Sequence, residues 1–251
     1  MRTVLSLWGW FALGVLLIIW VPTVAIVRLV TAPFDPGRYW AGYTFRKIAV
    51  VHGWLNPMWK FRTSGTMITD PRHPYVVVSN HESFVDMFLL SHLKWEMKYL
   101  AKKDFFQYPA AGWLLRLAGD IRLVRGNKDS IINAMDQCKD RLAKKTCVMI
   151  FPEGTRTRSG ELGAFKDGAF RLAIETQTPV LPVVVHGTYK ALTSGDWRFG
   201  VCDSEARVLE PIDTTGMTLD DVDALRDRVR TLIADELAVM TAAAGDGPVT
   251  S

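Results

Sequence analysis

The chain predicts an α/β protein: a mostly parallel sheet flanked by helices, preceded by an N-terminal membrane-anchoring helical segment. Three observations carry that expectation. From Pro71 onward, short apolar runs alternate with helical patterns, as in an α/β sandwich. No charged residue stands between Arg2 and Arg28. And Trp8, Trp10, Trp20, Trp40, Trp54 and Trp59, six of the nine tryptophans, crowd the beginning of the chain.

The uncharged run comes first. It is long enough to span a hydrocarbon core of roughly 30 Å, with Pro22 as a kink or the end of a re-entrant segment. A secretory signal has an apolar region of only about 7–15 residues, so a retained anchor is expected. Residues 37–69 follow with Arg38, Arg46, Lys47, Lys60 and Arg62 and no acidic residue. Aromatic side chains are interleaved with them. That composition predicts an interfacial helix with rings at headgroup level and basic groups toward anionic lipid. Basic residues lie mainly after the apolar run, which places the catalytic domain on the cytoplasmic face of the membrane.

The expected order then becomes β at 75–79, helix at 83–93, β at 97–101, helix at 109–118 and β at 121–124. Ile131, Met135, Cys138 and Leu142 recur at helical spacing. A buried strand at 147–151, a helix at 167–176 and a strand at 180–185 follow. Residues 206–210 read as an edge strand. Thr218 with Asp221 forms a variant capping box before a last amphipathic helix. The expected domains are 1–62, anchor and interfacial region; 63–240, catalytic α/β domain; and 241–251, a flexible tail.

Composition narrows the partners. The net charge of +4 suits a phospholipid membrane or anionic substrates. No nucleic-acid-binding motif is present, so no nucleic-acid partner is expected. Cys138, Cys147 and Cys202 are scattered and odd in number, which reads as free thiols rather than a disulfide framework or zinc site.

Two stretches carry chemistry, and each directly follows a predicted strand. The first runs from Asn80 through His81, Glu82 and Ser83 to Asp86. A neutral imidazole can take a proton near pH 7, and a carboxylate on its other nitrogen fixes the tautomer and stabilises the imidazolium. Five residues of regular helix turn through about 140°, so the pair meets only if His81 sits in the loop before the helix. Position 85 is valine, so no HExxH zinc helix exists, and Ser83 lacks a nucleophile elbow. The second stretch runs from Phe151 through Glu153, Gly154 and Thr155 to Arg156, with Arg158 just beyond. A guanidinium fork and an unobstructed glycine turn suit a phosphate. Glu153 is expected to hold Arg156 or a glycerol hydroxyl.

Together these stretches resemble the NHxxxxD and FPEGTR signatures of the glycerolipid acyltransferases, most closely the 1-acyl-sn-glycerol-3-phosphate (lysophosphatidic acid) acyltransferase family. The resemblance covers residues 76–185. It extends to Lys102 and Lys103, to the GDIRLVR stretch, in which Arg125 matches a family arginine implicated in phosphate binding, and to Lys166 in an FKxG-like step. Strand 180–185 resembles the family's last block, read as shaping the acyl site. The implied reaction moves an acyl group from acyl-CoA or acyl carrier protein to the sn-2 hydroxyl of lysophosphatidic acid. His81 would be the base and Asp86 its partner. Asn80, Ser83, Lys102, Arg125, Glu153, Gly154, Thr155, Arg156 and Lys166 would form the substrate site. No metal or prosthetic group is implied. The alternatives are another acceptor (glycerol-3-phosphate, another lysophospholipid or an acylated sugar lipid) and a non-catalytic lipid-binding protein on the same scaffold.

Overall fold

The computed structural model describes residues 1–157, 161–193 and 195–245. Two helices lead, α1 (Arg2–Thr31) and α2 (Tyr39–Leu55). A seven-stranded sheet follows, built from β1 (Trp59–Gly65), β2 (Val76–Ser79), β3 (Met97–Lys102), β4 (Ile121–Leu123), β5 (Cys147–Ile150), β6 (Val180–His186) and β7 (Cys202–Val208). Its order is β1-β7-β6-β2-β5-β3-β4. The five strands from β6 to β4 run parallel, while β7 is antiparallel to β6 and carries β1 alongside in its own direction. The mostly parallel sheet is therefore present, with a reversed two-stranded margin.

Helices α3 (Asp86–Leu90), α4 (Ala111–Ala118), α5 (Lys128–Ala143), α6 (Gly168–Thr176) and α7 (Val222–Ala244) flank it. Strands β2, β5 and β6 are buried nearly end to end, as strands covered on both faces must be. On one face Val76, Val78, Val148 and Val184 meet Cys138 and Leu142 of α5, Phe170 of α6 and Val229 of α7. On the other, Val77, Met149 and Val183 pack with Leu89 and Leu90 of α3. The Thr218–Asp221 capping box is formed.

Several expectations change. Residues 37–69 are not one interfacial helix. Pro57 lacks the amide a helix needs and forces Asn56 to extended backbone, so α2 stops at Leu55. The chain then enters the catalytic sheet as β1, so the sheet begins inside the stretch assigned to the anchor. The edge strand is β1, and β7 lies between it and β6. Helix 83–93 contracts to α3, because the Asp86 carboxylate captures the N–H groups of Glu82 and Ser83 and holds them in a loop. Helix α7 continues to Ala244, and residues 246–251 of the expected tail lie outside the described residues.

Of the basic residues expected at the interface, Arg46 of α2 turns inward. Its side chain is mostly buried and ion-pairs with Asp120, which itself accepts the Tyr99 N–H. Lys98, fully buried, bonds Glu96 at 2.8 Å and donates to the Arg38 carbonyl. Arg38 donates to the Arg116 carbonyl, and Arg62 pairs with Asp203. Buried carboxylates need cationic partners, and for Arg46 the buried Asp120 and Glu96 supply that demand.

Helix α1 runs unbroken through Pro22. It lies along the domain, packed on α2 and α4. At its start, Arg2 donates to the Phe199 carbonyl and pairs with Asp196; further along, the Trp20 indole donates to the Thr44 carbonyl. Ser6, Gly9, Ala12, Leu16 and Val24 face inward, while Leu7, Phe11, Ile18, Ile19, Ile26 and Leu29 are exposed.

Candidate active site

In a parallel sheet, sites collect where strands end. Strand β5 lies directly beside β2, with Val78 opposite Ile150. The loops leaving those two strands therefore start side by side, and they carry the two signature stretches.

His81 sits in the loop before α3 and Asp86 in the helix's first turn. His81 Nδ1 lies 2.7 Å from Asp86 Oδ2. An ionised carboxylate can only accept, so Nδ1 carries the proton and Nε2 keeps its lone pair. Asp86 is fully buried, whereas the His81 side chain retains 13% exposure. The free nitrogen thus has access to substrate while its partner has none to water. The imidazole also stacks on Phe151, with centroids 3.9 Å apart and planes 15° from parallel. Two contacts, one in the ring plane and one on its face, fix the ring.

Glu153 joins the loops. Its Oε1 accepts the His81 N–H at 2.9 Å and its Oε2 accepts the Gly163 N–H at 3.0 Å. Burial pushes its carboxyl above the usual carboxylate range, opposed by those donors. Its two oxygens bind the protein's own amides, so it is placed as a strut rather than as a partner of Arg156. Asn80 is spent similarly. Its amide exchanges two hydrogen bonds with the backbone of Val185, tying β2 to β6. Ser83 is buried and its hydroxyl accepts from Val85 N–H. These three residues shape the site from inside.

The exposed members are different. Gly154 has φ +72°, a conformation that costs glycine nothing. A β-carbon there would lie 2.7 Å from Lys166 Nζ, so the turn and that ammonium share one spot. Thr155 and Arg156 are exposed beside it, and Arg158 lies outside the described residues. Arg125 is exposed in the loop after β4, at the same sheet edge. Among the described residues Arg125, Arg156 and Lys166 have no carboxylate partner. Lys102, at the end of β3, does: it pairs with Asp104 at 2.5 Å.

Next to the dyad lies a cavity lined almost entirely by apolar atoms. Phe84 and Met87 flank Asp86 in the chain and form one wall; Leu13 and Leu17 of α1, Phe45 of α2 and Phe105 supply others. Strand β6 is buried in the core and lines none of this cavity.

Sequence reasoning missed Phe151 as a stacking partner, the α1 and α2 residues of the cavity, and Thr188. Thr188 follows β6 at the same sheet edge as both signature stretches, and that position was the available signal. Glu82, to which the sequence assigns no role, accepts from the N–H groups of Thr188 and Tyr189 through its carboxyl.

The sheet edge brings together a His–Asp dyad, cations without a carboxylate partner among the described residues, and an apolar cavity. A family model described as Acyltransferase matches residues 60–186, about half the chain, and the chain belongs to that family. The human 1-acyl-sn-glycerol-3-phosphate acyltransferase alpha is 38% identical over 162 residues, 64% of this chain and 57% of that protein. The chloroplastic 1-acyl-sn-glycerol-3-phosphate acyltransferase BAT2 of Brassica napus is 38% identical over 122 residues, 49% of this chain and 36% of that protein. The matched stretch thus spans little more than half of the human relative and about a third of the plant one. The crystal structure of the 1-acyl-sn-glycerophosphate (LPA) acyltransferase, PlsC, from Thermotoga maritima shares the fold, with a TM-score of 0.81 at 23% identity, covering 96% of this chain and 98% of that one.

Proposed function

We propose that the protein transfers an acyl group from a thioester to the sn-2 hydroxyl of 1-acyl-glycerol-3-phosphate, giving phosphatidic acid. The observation that carries this reading is the dyad itself: His81 Nδ1 is held by the buried Asp86, which leaves Nε2 to act as base, on a sheet edge that also carries exposed cations suited to a phosphate, while the helix bearing Asp86 lines a cavity suited to an acyl chain. The names of the relatives support the same acceptor.

His81 Nε2 takes the hydroxyl proton as the oxygen attacks the thioester carbonyl. Asp86 stabilises the imidazolium that forms. The tetrahedral intermediate collapses, the C–S bond breaks, and the imidazolium returns its proton to the departing thiolate. Arg156, with Arg125 and Lys166, holds the phosphate and so places the hydroxyl. Glu153 and Asn80 keep the two loops in register.

Transfer is direct, without an acyl-enzyme. All three cysteines are buried, and burial pushes their thiols up, to about 12 for Cys138 and Cys147 and about 11 for Cys202. Thiols so hard to ionise are poor nucleophiles. The donor is acyl-CoA or acyl carrier protein, and no metal or prosthetic group takes part.

The protein works at a membrane surface. Helix α1 is long and apolar enough to cross a bilayer, but it packs along the domain instead of projecting from it. Its outer face, with Trp40 and Trp54 of α2 exposed nearby, suits burial in lipid alongside the catalytic domain, which then stays on one side, the cytoplasmic one.

The test is a panel of acceptors (lysophosphatidic acid, glycerol-3-phosphate, other lysophospholipids) with acyl-CoA and acyl carrier protein donors, given to purified protein in detergent and read by product mass. Phosphatidic acid should dominate. Preference for another acceptor would keep the chemistry and replace the substrate. No thiol release with any pair would leave only a lipid-binding role.

A further inference from the structure

The base depends on a carboxylate whose two oxygens are unequally supported. Asp86 Oδ2 faces His81 Nδ1 at 2.7 Å and accepts the Glu82 N–H at 2.8 Å. The Ser83 N–H is shared between both oxygens, at 3.1 Å from Oδ1 and 3.0 Å from Oδ2. The donor that Oδ1 has to itself is the hydroxyl of Thr188. Every other donor comes from the three residues 81–83, whereas Thr188 is 102 positions away and fully buried.

Thr188 is itself held. Its N–H donates to Glu82 Oε2 at 3.0 Å and the Tyr189 N–H to the same atom at 3.2 Å. Gly187 makes the turn that delivers it, at φ +89°, and a β-carbon there would lie 2.5 Å from the Asp203 carbonyl. The ring of contacts closes on itself, because Glu82 is the residue between His81 and the loop that Asp86 gathers. The hydroxyl has one proton and two carboxyl groups in reach. Its contact with Glu82 Oε2 is 3.2 Å, longer than that with Asp86 Oδ1, so the proton is committed to Asp86.

We propose that Thr188, seated by Glu82, is a positioning residue of the transfer reaction: it pins Asp86 Oδ1 so that Oδ2 stays aimed at His81 Nδ1. Without the hydroxyl, Oδ1 keeps half of one shared N–H, and the carboxylate can turn about its side-chain bond. The imidazole then loses its fixed tautomer in part of the population. Binding of phosphate or acyl chain is untouched, since Thr188 is not part of the cavity lining and its hydrogen bonds go to Glu82 and Asp86. The inference rests on the reading of His81 as general base.

The experiment uses the full chain in detergent with acyl-CoA and lysophosphatidic acid. Thr188→Val and Thr188→Ala remove the hydroxyl with different volumes, and Thr188→Ser keeps it. The first two should lower kcat by about 10–100-fold, the scale on which hydrogen bonding behind metal-ligating side chains acts. Both KM values should stay within about twofold, and Thr188→Ser should recover most of kcat. In spectra of protein labelled in its histidine nitrogens, the Nδ1 proton that vanishes in His81→Ala should move or broaden in Thr188→Val and return in Thr188→Ser. Wild-type kcat in either hydroxyl-free variant, or a serine variant no better than valine, would overturn the proposal. Should the hydroxyl-free variants fail to fold, Glu82→Ala decides, since it unseats Thr188 from the other side: lower kcat at unchanged KM supports the proposal, and unchanged kcat overturns it. His81→Ala run in parallel separates the two readings. Full activity there ends the general-base mechanism; a dead His81→Ala beside an undiminished Thr188→Val ends only this inference.

Discussion

Asp86→Asn is the sharpest perturbation of the dyad, because it changes one charge and almost no volume. In the wild type the carboxylate is fully buried with His81 Nδ1 at 2.7 Å, which puts the two charge centres of the imidazolium–carboxylate pair roughly 4 Å apart. At the effective dielectric that describes such sites, that pair is worth ~4 kcal/mol, or about a thousandfold in rate if the imidazolium is nearly formed at the transition state. A second effect adds to it. The N–H groups of Glu82 and Ser83 and the Thr188 hydroxyl all need an acceptor. The Thr188 hydroxyl and the shared Ser83 N–H hold the asparagine's single oxygen at the Oδ1 position, which leaves its NH2 at the Oδ2 position, facing His81 Nδ1 and unable to accept the Glu82 N–H. His81 Nδ1 then becomes the acceptor, the ring proton moves to Nε2, and the base has no lone pair to offer. Thiol release from acyl-CoA, followed with a chromogenic disulfide in lysophosphatidic acid micelles, should show kcat reduced by about a thousandfold or more with both KM values near wild type. Activity within tenfold of wild type, in a variant that melts at the wild-type temperature, would refute the reasoning.

Other outcomes follow from the same geometry. Arg156→Ala should chiefly raise KM for the phosphorylated acceptor, and Arg156→Lys should recover only part, since an ammonium cannot make the planar fork; an effect confined to the acyl donor's KM would move the phosphate site elsewhere. Replacing Cys138, Cys147 and Cys202 together with alanine should leave measurable transfer, and radiolabelled acyl-CoA without acceptor should leave no label on the protein at a competent rate. Glu82→Gln should flatten the dependence of thermal stability on pH. Burial first, and the charge of Asp86 second, push the Glu82 carboxyl up to about 8, so the folded chain keeps a proton that the unfolded chain releases above its ordinary value of 4.5. Wild-type stability should therefore fall as pH rises through that window, by at most ~1.4 kcal/mol per pH unit, and melting curves for the two proteins that stay parallel from pH 5 to 8 would contradict it. Polar substitutions at Leu7, Phe11, Ile18 and Ile26, all exposed on α1, should reduce vesicle binding and turnover on bilayer substrate while sparing turnover in micelles; retained vesicle binding would remove α1 from the contact surface.

How much of this was legible depended on where each feature's partners lie in the chain. Strands β2, β5 and β6 announce themselves because burial on both faces demands unbroken apolar runs. Strand β1 does not, because only Trp59 is buried and its partner β7 is far along the chain. The dyad was legible because His81 and Asp86 are local. So was the turn at Gly154, where residue type and backbone conformation coincide. Thr188 was not, since its contact with Asp86 exists only once β6 lies beside β2. The basic residues of α2 misled for a related reason. Composition reveals charge but not the buried Glu96 and Asp120 that claim it, and Arg46 belongs to those carboxylates rather than to lipid.

The N-terminal helix then has two tasks that its sequence does not separate. Leu13 and Leu17 line the cavity beside the dyad, and Leu16 and Val24 are buried against α2 and α4. The opposite face is apolar and unpartnered. A run of 30 helical residues, about 45 Å long, would cross a bilayer if it stood alone. It does not stand alone, because Arg2 is tied to Phe199 and Asp196 while Trp20 is tied to α2. Any tilt of α1 into lipid must carry those neighbours with it. A helix so attached cannot be removed to test anchoring, since its loss would open the cavity and expose the core behind it. On the proposed function, uniform hydrophobicity is the consequence: one face excludes water from an acyl chain and the other meets the membrane, so neither tolerates a charge. On that reading, the absence of charged residues between Arg2 and Arg28 reports two apolar environments on either side of one helix, the cavity within and lipid without.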